Sequence, residues 1–554
     1  MMTLLKALSH VVSWYLIVQG GIVLGFILLP VDAVSSTDRF EPLGLNLTFQ
    51  QDPTTTITID WHVDDAESAT LLELRAQGER ETWQQFSPEE TVDFPFSSRF
   101  IHRREVTGLE PNTMYEFRFG EGSKEYTFRT LPADNERHAV RLAIGGDVRH
   151  EREMMERTGR VAMAYDPHMI VFGGDLAYGD GDPRLVHRWY EWFEVTRDVF
   201  RASDGRIVPV VVGIGNHEIW LGDKLEKDAQ RLADEWGLEV GDAPYFMTLF
   251  PQPSGTSYRV LDVGDYLSLV LLDTGHYESV EGAQATWLEA VLVERQSVSH
   301  VFPVYHVPAY PSVRSVDGTT STKVREAWVP LFEAHGVRTA FEMHDHAYKR
   351  TVPIREGVRH PDGVVYIGDG AWGVYTRPVG RDHATSAWYL KRGASERHVI
   401  LTTIRGSDAR HLVANEDGEV IDAYPEEYLQ EAEYDEKVSV NPAPVILGRP
   451  KLQSLPRRSI EVAPALLSDY TGHYRIEGSD TLDVHISQHS GGALTLGVPE
   501  LGYSDLVLFP QSETHFFIQR LDAEFTFLRN AAGAVTGVEI RHDGGLATAK
   551  RVDE

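Results

Sequence analysis

The chain has 554 residues, with 83 acidic against 52 basic side chains, a net charge of −31 and no cysteine. That length predicts two or three domains rather than one core. The charge opposes nonspecific binding to nucleic acid or an anionic membrane, and it repels anionic ligands unless a site carries its own positive charge. The missing thiols exclude disulfides, thiolate clusters and cysteine nucleophiles, so any metal must be held by oxygen and nitrogen.

The first 36 residues hold one lysine and then a run of mostly apolar residues from Val11 to Pro30. This reads as an export signal with Val31-Asp32-Ala33 as a cleavage site, or as an uncleaved membrane anchor through residues 11–30. Either reading places the folded part beyond the cytoplasmic membrane, in the periplasm, outside the cell or on the envelope. From 40 to 133, short alternating stretches such as "TTTITIDWHV", "TMYEFRFG" and "KEYTFRT" predict a β-sandwich with a structural or orienting role.

From 138 to 425 the pattern changes. Apolar runs such as "HMIVFGGD" and "IVPVVVGIGN" read as strands buried on both faces, and "AQATWLEAVLVERQ" and "KVREAWVPLFEAHG" read as helices. An α/β domain follows, its sheets flanked by helices. Residues 426–460 are acidic and then proline-rich, which predicts a linker. From 461 to 554 strands return, with Asn530 to Gly533 as a hairpin turn, giving a small all-β domain. The fold class is therefore multidomain: β-sandwich, α/β domain and small all-β domain.

Five predicted strand ends in the α/β domain carry metal-competent side chains: Asp147; Asp175 with Tyr178; Asn216 with His217; His306; and His344 with His346. Taken singly, each is an ordinary turn or packing residue. In an open α/β sheet, sites form outside the carboxyl ends of strands, so loops from neighbouring strands converge there. Two metals about 3.5–4 Å apart need a bridging carboxylate and terminal ligands. Asp175, central in the order, suits the bridge.

The motifs "GGDVRH", "GGDLAYGDG", "GIGNHEIW", "VYHVPAY" and "MHDHAYKR" resemble those of the metallophosphoesterases, and within them the purple acid phosphatases. "LEPNTMYEFRFG" and "YTFRTLP" resemble that family's fibronectin-like domain. The resemblance implies a first metal, Fe(III), on Asp147, Asp175, Tyr178 and His346. It implies a second, Fe, Zn or Mn, on Asp175, Asn216, His306 and His344. It further implies hydrolysis of phosphate monoesters of small molecules by a metal-activated hydroxide, with His217 contacting phosphate or the leaving oxygen. The same motifs also accommodate a phosphodiesterase or nucleotide pyrophosphatase, and a metal-poor surface binding protein is the alternative of another class.

Several positions depart from the family pattern. Arg149 stands where many metallophosphoesterases place a histidine ligand, Met343 precedes the final histidine pair, and Lys349 replaces the usual glutamate. The extra histidines of plant members are missing after "HVP", which leaves Arg314 or Arg325 to bind phosphate. His217 and Glu218 have a second reading, as residues that only order the ligands. The C-terminal segment resembles a small β-domain appended to some bacterial hydrolases. It predicts a lipocalin-like half-barrel or a sandwich that docks, stabilises or binds a ligand.

Overall fold

A computed structural model of the chain describes residues 40–68, 70–78, 83–222, 235–379, 387–428, 462–477, 483–488, 494–498, 503–518, 523–530, 532–542 and 545–552. The leader, nearly all of the expected linker and part of the expected 530–533 turn lie outside them. Among the described residues no helix is long and apolar enough to cross a membrane.

The N-terminal sandwich pairs two four-stranded sheets. One runs in the order Leu45–Thr48, Thr56–Val63, Phe100–Thr107, Glu90–Asp93. The other runs Gln84–Phe86, Leu72–Ala76, Met114–Arg118, Tyr126–Arg129. All eight residues of Thr56–Val63 are buried, not only alternate ones. Trp61 faces Phe119 inside the sandwich, and His62 packs on Phe193 of the next domain. The sandwich core continues into the α/β domain as one apolar cluster from Leu47 through Leu142 to Val365. Hydrogen bonds cross the junction: the Arg259 side chain donates from Nη1 to the Phe49 carbonyl at 2.9 Å, and Ile207 N donates to the Thr127 carbonyl at 2.8 Å.

The α/β domain stacks two mixed sheets face to face. The six-stranded sheet runs Val210–Gly213, Met169–Gly173, Val140–Gly145, His398–Arg405, Asp408–Asn415, Val420–Tyr424, its first three strands parallel. The seven-stranded sheet runs Arg259–Val263, Leu267–Leu272, His300–Tyr305, Thr339–Glu342, Val365–Gly368, Tyr348–Thr351, Leu390–Ala394. Leu267–Leu272 and the three strands after it are parallel to one another.

Alternation along the strands sorts the side chains into layers. Leu142, Ile144 and Val171 meet Leu269, Phe302 and Phe341 between the sheets. Ala143, Ile170 and Phe172 face outward onto helices Arg152–Ala164 and Val186–Asp198. The latter buries Trp189, Trp192, Phe193 and Thr196, one stripe at helical spacing. On the far side, Leu272, Tyr305 and Ala340 pack on Leu288, Trp328 and Phe332. The predicted helix "KVREAWVPLFEAHG" divides into Thr319–Ala327 and Val329–Ala334, because Pro330 is tolerated only in a first helical turn.

The C-terminal strands close into an eight-stranded barrel from Gly472–Ile476 to Gly545–Val552, complete rather than the expected half-barrel or sandwich. Pairing of the first strand with the last removes both edges. Tyr470, Tyr474, Phe516 and Phe527 fill its interior.

The Lys349 departure has a structural counterpart. Its ammonium is fully buried between Glu342 and Asp369, the latter at 3.1 Å, and also donates to the Tyr310 carbonyl. Glu342 in turn accepts from Tyr305 Oη at 2.5 Å and Ala309 N at 2.7 Å, and Asp369 from Ser312 N at 2.8 Å. One ionic knot therefore ties the loop after His306 to the strands flanking His344. Removing one partner of a buried pair leaves uncompensated charge, so Lys349→Met is expected to lower stability by about 3–5 kcal/mol in denaturant titrations. A loss below ~1 kcal/mol would show that the knot contributes little.

Candidate metal centre

The parallel strands of both sheets end at one edge, and the predicted residues lie just beyond those ends. Asp147 follows Val140–Gly145, Asp175 and Tyr178 follow Met169–Gly173, and Asn216 and His217 follow Val210–Gly213. His306 follows His300–Tyr305, and His344 and His346 follow Thr339–Glu342. Asp147, Asp175, Tyr178, His344 and His346 all have positive φ, between 54° and 83°. Non-glycine residues avoid this region, at about 1–3 kcal/mol each where the surroundings impose it. The turn redirects each side chain immediately, so the ligand points inward rather than along the strand.

Two groups of donors result: Asp175, His306 and His344; and Asp147, Asp175 and His346, with the ligand atoms of each group within 4.8 Å of one another. Asp175 belongs to both. In the first group His306 Nε2 lies 3.1 Å from Asp175 Oδ2, 3.2 Å from Asn216 Oδ1 and 3.0 Å from His344 Nδ1. In the second, His346 Nε2 lies 3.0 Å from Asp147 Oδ1 and 3.1 Å from Tyr178 Oη, which is 3.2 Å from Asp147 Oδ1. The two histidines of the HDH turn thus serve different groups.

Surrounding hydrogen bonds aim these atoms. His306 Nδ1 donates to the Gly173 carbonyl at 3.0 Å and His346 Nδ1 to the Tyr375 carbonyl at 3.2 Å, which leaves each Nε2 lone pair facing the centre. Asp147 Oδ2 accepts His344 N and Asp175 Oδ1 accepts His217 N, both at 2.8 Å, freeing the opposite oxygens. Glu218, fully buried, accepts the backbone N–H groups of Asp175, Leu176 and Gly215 at 2.8 Å and clamps two ligand loops together. Burial and the Asp175 charge raise its carboxyl to about 7 despite those bonds. A Cβ on Gly215 would lie 2.3 Å from Asp175 Oδ1, so only glycine fits there.

The donor set fits cations. Lone pairs about 3 Å apart repel one another, yet ligand atoms at about 2.0–2.2 Å from one ion adopt that separation. Without an ion a proton must stand in. Burial disfavours imidazolium at His306, but Asp175 outweighs it and lifts the ring to about 9. Burial also pushes the Tyr178 phenol up, reinforced by Asp147 and Asp175, so only a strong Lewis acid would draw off its proton. Metal uptake replaces such protons. With oxygen and nitrogen donors only, the centre suits hard or borderline ions better than soft ones.

His217 lies against Tyr178, with ring centroids 4.2 Å apart, and its Nδ1 is bonded to Asp180. Burial lowers its basicity, but Asp175 and Asp180 prevail and raise it to about 9. Arg149 is turned away and paired with Glu191 of the helix Val186–Asp198. Arg314 donates to the His344 carbonyl and Asp345 Oδ1, each at 2.7 Å. Arg325 spends its donors on the Ala309 carbonyl and Thr322 Oγ1, away from the ligand cluster.

Sequence reasoning missed several neighbours. Asp180 had a signal, two residues after Tyr178 in the same motif. His276, at 5.5 Å from the His306 ring, and Arg377, whose N–H donates to the His346 carbonyl at 2.8 Å, lie in loops without one. His150 packs on Tyr178 at 4.5 Å, one residue beyond the slot inspected.

Residues 42–130 match the purple acid phosphatase N-terminal domain and residues 142–348 the calcineurin-like phosphoesterase family. Residues 456–550 match DUF3471, a domain of unknown function. Purple acid phosphatase 21 of Arabidopsis thaliana is 28% identical over 282 residues, 50% of this chain and 60% of that protein. Purple acid phosphatase 18 of the same plant is 26% identical over 280 residues, 50% and 59% of the two chains. The chain thus spans about 60% of the length of these curated relatives. The solved structure of purple acid phosphatase PPD1 from yellow lupin seeds shares the fold, with a TM-score of 0.55 at 19% identity over 69% of this chain and 73% of that one. Together with the two converging donor groups, these matches show a purple-acid-phosphatase-type N-terminal domain followed by a calcineurin-like phosphoesterase domain.

Proposed function

We propose that the chain hydrolyses phosphate monoesters at a two-metal centre. Asp147, Asp175, Tyr178 and His346 hold one ion, and Asp175, Asn216, His306 and His344 hold the other. The observation that carries this reading is the position of Asp175 in both donor groups, with a phenol oxygen in one of them. The phenolate donor favours Fe(III) on its side, and the neutral Asn216 and two imidazoles favour Fe(II), Zn(II) or Mn(II) on the other. When bound, such ions supply Lewis acidity, neutralise phosphoryl charge and lower the pKa of water towards about 7.

The chain's own groups do the rest. Asp147 and Asp175 each use one oxygen to fix the backbone and keep the other for the centre, so little reorganisation accompanies reaction. His217 is held by its backbone N–H on Asp175 and by Asp180 on Nδ1. Its Nε2, 3.9 Å from Asp175 Oδ2, therefore faces the reacting phosphoryl group. That nitrogen donates to a phosphoryl oxygen or protonates the leaving oxygen. Export and the division at 40–133, 138–425 and 461–554 belong to this same reading.

Asp175→Ala is expected to lose both metals, read by elemental analysis; retention of two equivalents would remove the shared-ligand role. Tyr178→Phe is expected to abolish a visible charge-transfer band while most iron stays bound, and a colourless iron-loaded wild type would exclude the phenolate. His217→Ala is expected to slow alkyl phosphate hydrolysis by ~10²-fold, and nitrophenyl phosphate hydrolysis by at least tenfold less, since a good leaving group needs less protonation. Equal losses on both would assign His217 to phosphate binding alone. Paired mono- and diester nitrophenyl substrates test the class: faster diester turnover would replace the monoesterase reading.

A further inference from the structure

The turn carrying His344 and His346 has cationic neighbours that the ligand set does not use. Arg314 Nη1 donates to the His344 carbonyl at 2.7 Å, and Arg377 Nη1 approaches the same carbonyl at 3.4 Å. Two guanidiniums thus meet at one backbone oxygen, immediately behind an imidazole of the centre. Asp345, fully buried, pairs with Arg314 and accepts its backbone N–H, which fixes that side chain. Two guanidiniums against one carboxylate leave one net positive charge. Among the described residues, Nε and Nη2 of both arginines have no acceptor.

His150 closes the group. Its Nδ1 accepts the Tyr375 N–H at 3.3 Å, two residues before Arg377, so the proton of the neutral ring sits on Nε2. The ring lies edge-on to Tyr178 at 4.5 Å and 5.4 Å from His346. A neutral donor and two partly used cationic forks therefore surround the 344–346 turn. Neither arginine touches a side-chain donor of the centre. Both reach the backbone carbonyl of His344, a residue whose imidazole belongs to the centre. Arginine forks match oxyanions in a bidentate way. The chain as a whole carries a net charge of −31, so these positive donors supply locally what the overall balance withholds from an anion.

We propose that Arg314, Arg377 and His150 form a subsite for a second anionic group of the substrate. The preferred substrates then carry a phosphate or a carboxylate close to the phosphoryl group that is hydrolysed. This rests on the phosphoesterase reading for its reacting centre. Arg325, which the sequence offered equally with Arg314, has no part in it.

The test compares para-nitrophenyl phosphate, which has no second anion, with inorganic pyrophosphate and phosphoglycolate on the metal-loaded full chain. In Arg377→Gln and Arg314→Gln, kcat/KM for an anion-bearing substrate relative to nitrophenyl phosphate should fall about tenfold, mainly through KM. A fall confined to pyrophosphate assigns the subsite to phosphate; one confined to phosphoglycolate assigns it to carboxylate; a fall in both assigns it to either oxyanion. Unchanged ratios in both variants overturn the proposal. Arg377→Gln leaves Asp345 paired and keeps the test valid if Arg314→Gln unfolds. Calorimetric binding of pyrophosphate and of phosphate gives a readout independent of turnover. Arg377→Gln should weaken pyrophosphate about tenfold more than phosphate, and equal weakening overturns the subsite. A wild type that turns over no ester yet shows this binding difference would sink the phosphoesterase reading and leave the subsite standing.

Discussion

Electron-pair repulsion among converging donors is the constraint on which the rest of this structure depends. Around His306 Nε2 stand a carboxylate oxygen, an amide oxygen and a second imidazole nitrogen, all within 3.2 Å. Around His346 Nε2 stand another carboxylate and a phenol. Without an ion, protons on His306 and Tyr178 offset part of that repulsion. Five of the ligand-bearing residues also hold left-handed backbone conformations that non-glycine side chains avoid. The arrangement persists because the framework around it is over-determined, and it becomes favourable when positive ions occupy it.

That framework can be traced bond by bond. Two apolar sheets supply parallel strands whose ends cannot shift without disturbing a core sealed on both faces. Glu218 ties the Asp175 turn to the Asn216 turn. Lys349, with Glu342 and Asp369, ties the loop after His306 to the strands beside His344. Asp147 Oδ2, accepting from His344 N, ties the first strand end to the last. Each connection joins two loops that each donate a ligand, so a shift in one would displace its partner. Rigidity is thereby concentrated where the donors repel most.

How much of this could be read from sequence follows from the range of the forces involved. The clustering of these side chains was legible because each strand end announces itself locally: an apolar run, then glycine or a turn, then a polar side chain. The sandwich and the α/β layers were legible for the same reason, since alternation and helical spacing are local patterns. The neighbours that aim the ligands were not. Arg377 reaches the 344–346 turn from a loop about thirty residues further along the chain, and His150 joins it from nearly two hundred residues away; no periodicity records either. Arg314 and Arg325 looked interchangeable in sequence. They part company only in space, one on the His344 carbonyl and the other on the Ala309 carbonyl. Closure of the C-terminal barrel was equally hidden, because it depends on pairing the first strand with the last.

The Lys349 substitution shows how a departure from a family pattern can preserve what the pattern protects. A buried lysine in place of a buried glutamate would be ruinous alone. Here two carboxylates, Glu342 at the end of one strand and Asp369 just after another, converge on it. The local charge is inverted, yet the ordering of the histidine turn survives. The same two carboxylates also accept the Ala309 and Ser312 N–H groups of the loop after His306. Motif letters near a metal centre can therefore change sign while the geometry they serve stays fixed, provided that the compensating charges lie on the strands which carry the ligands.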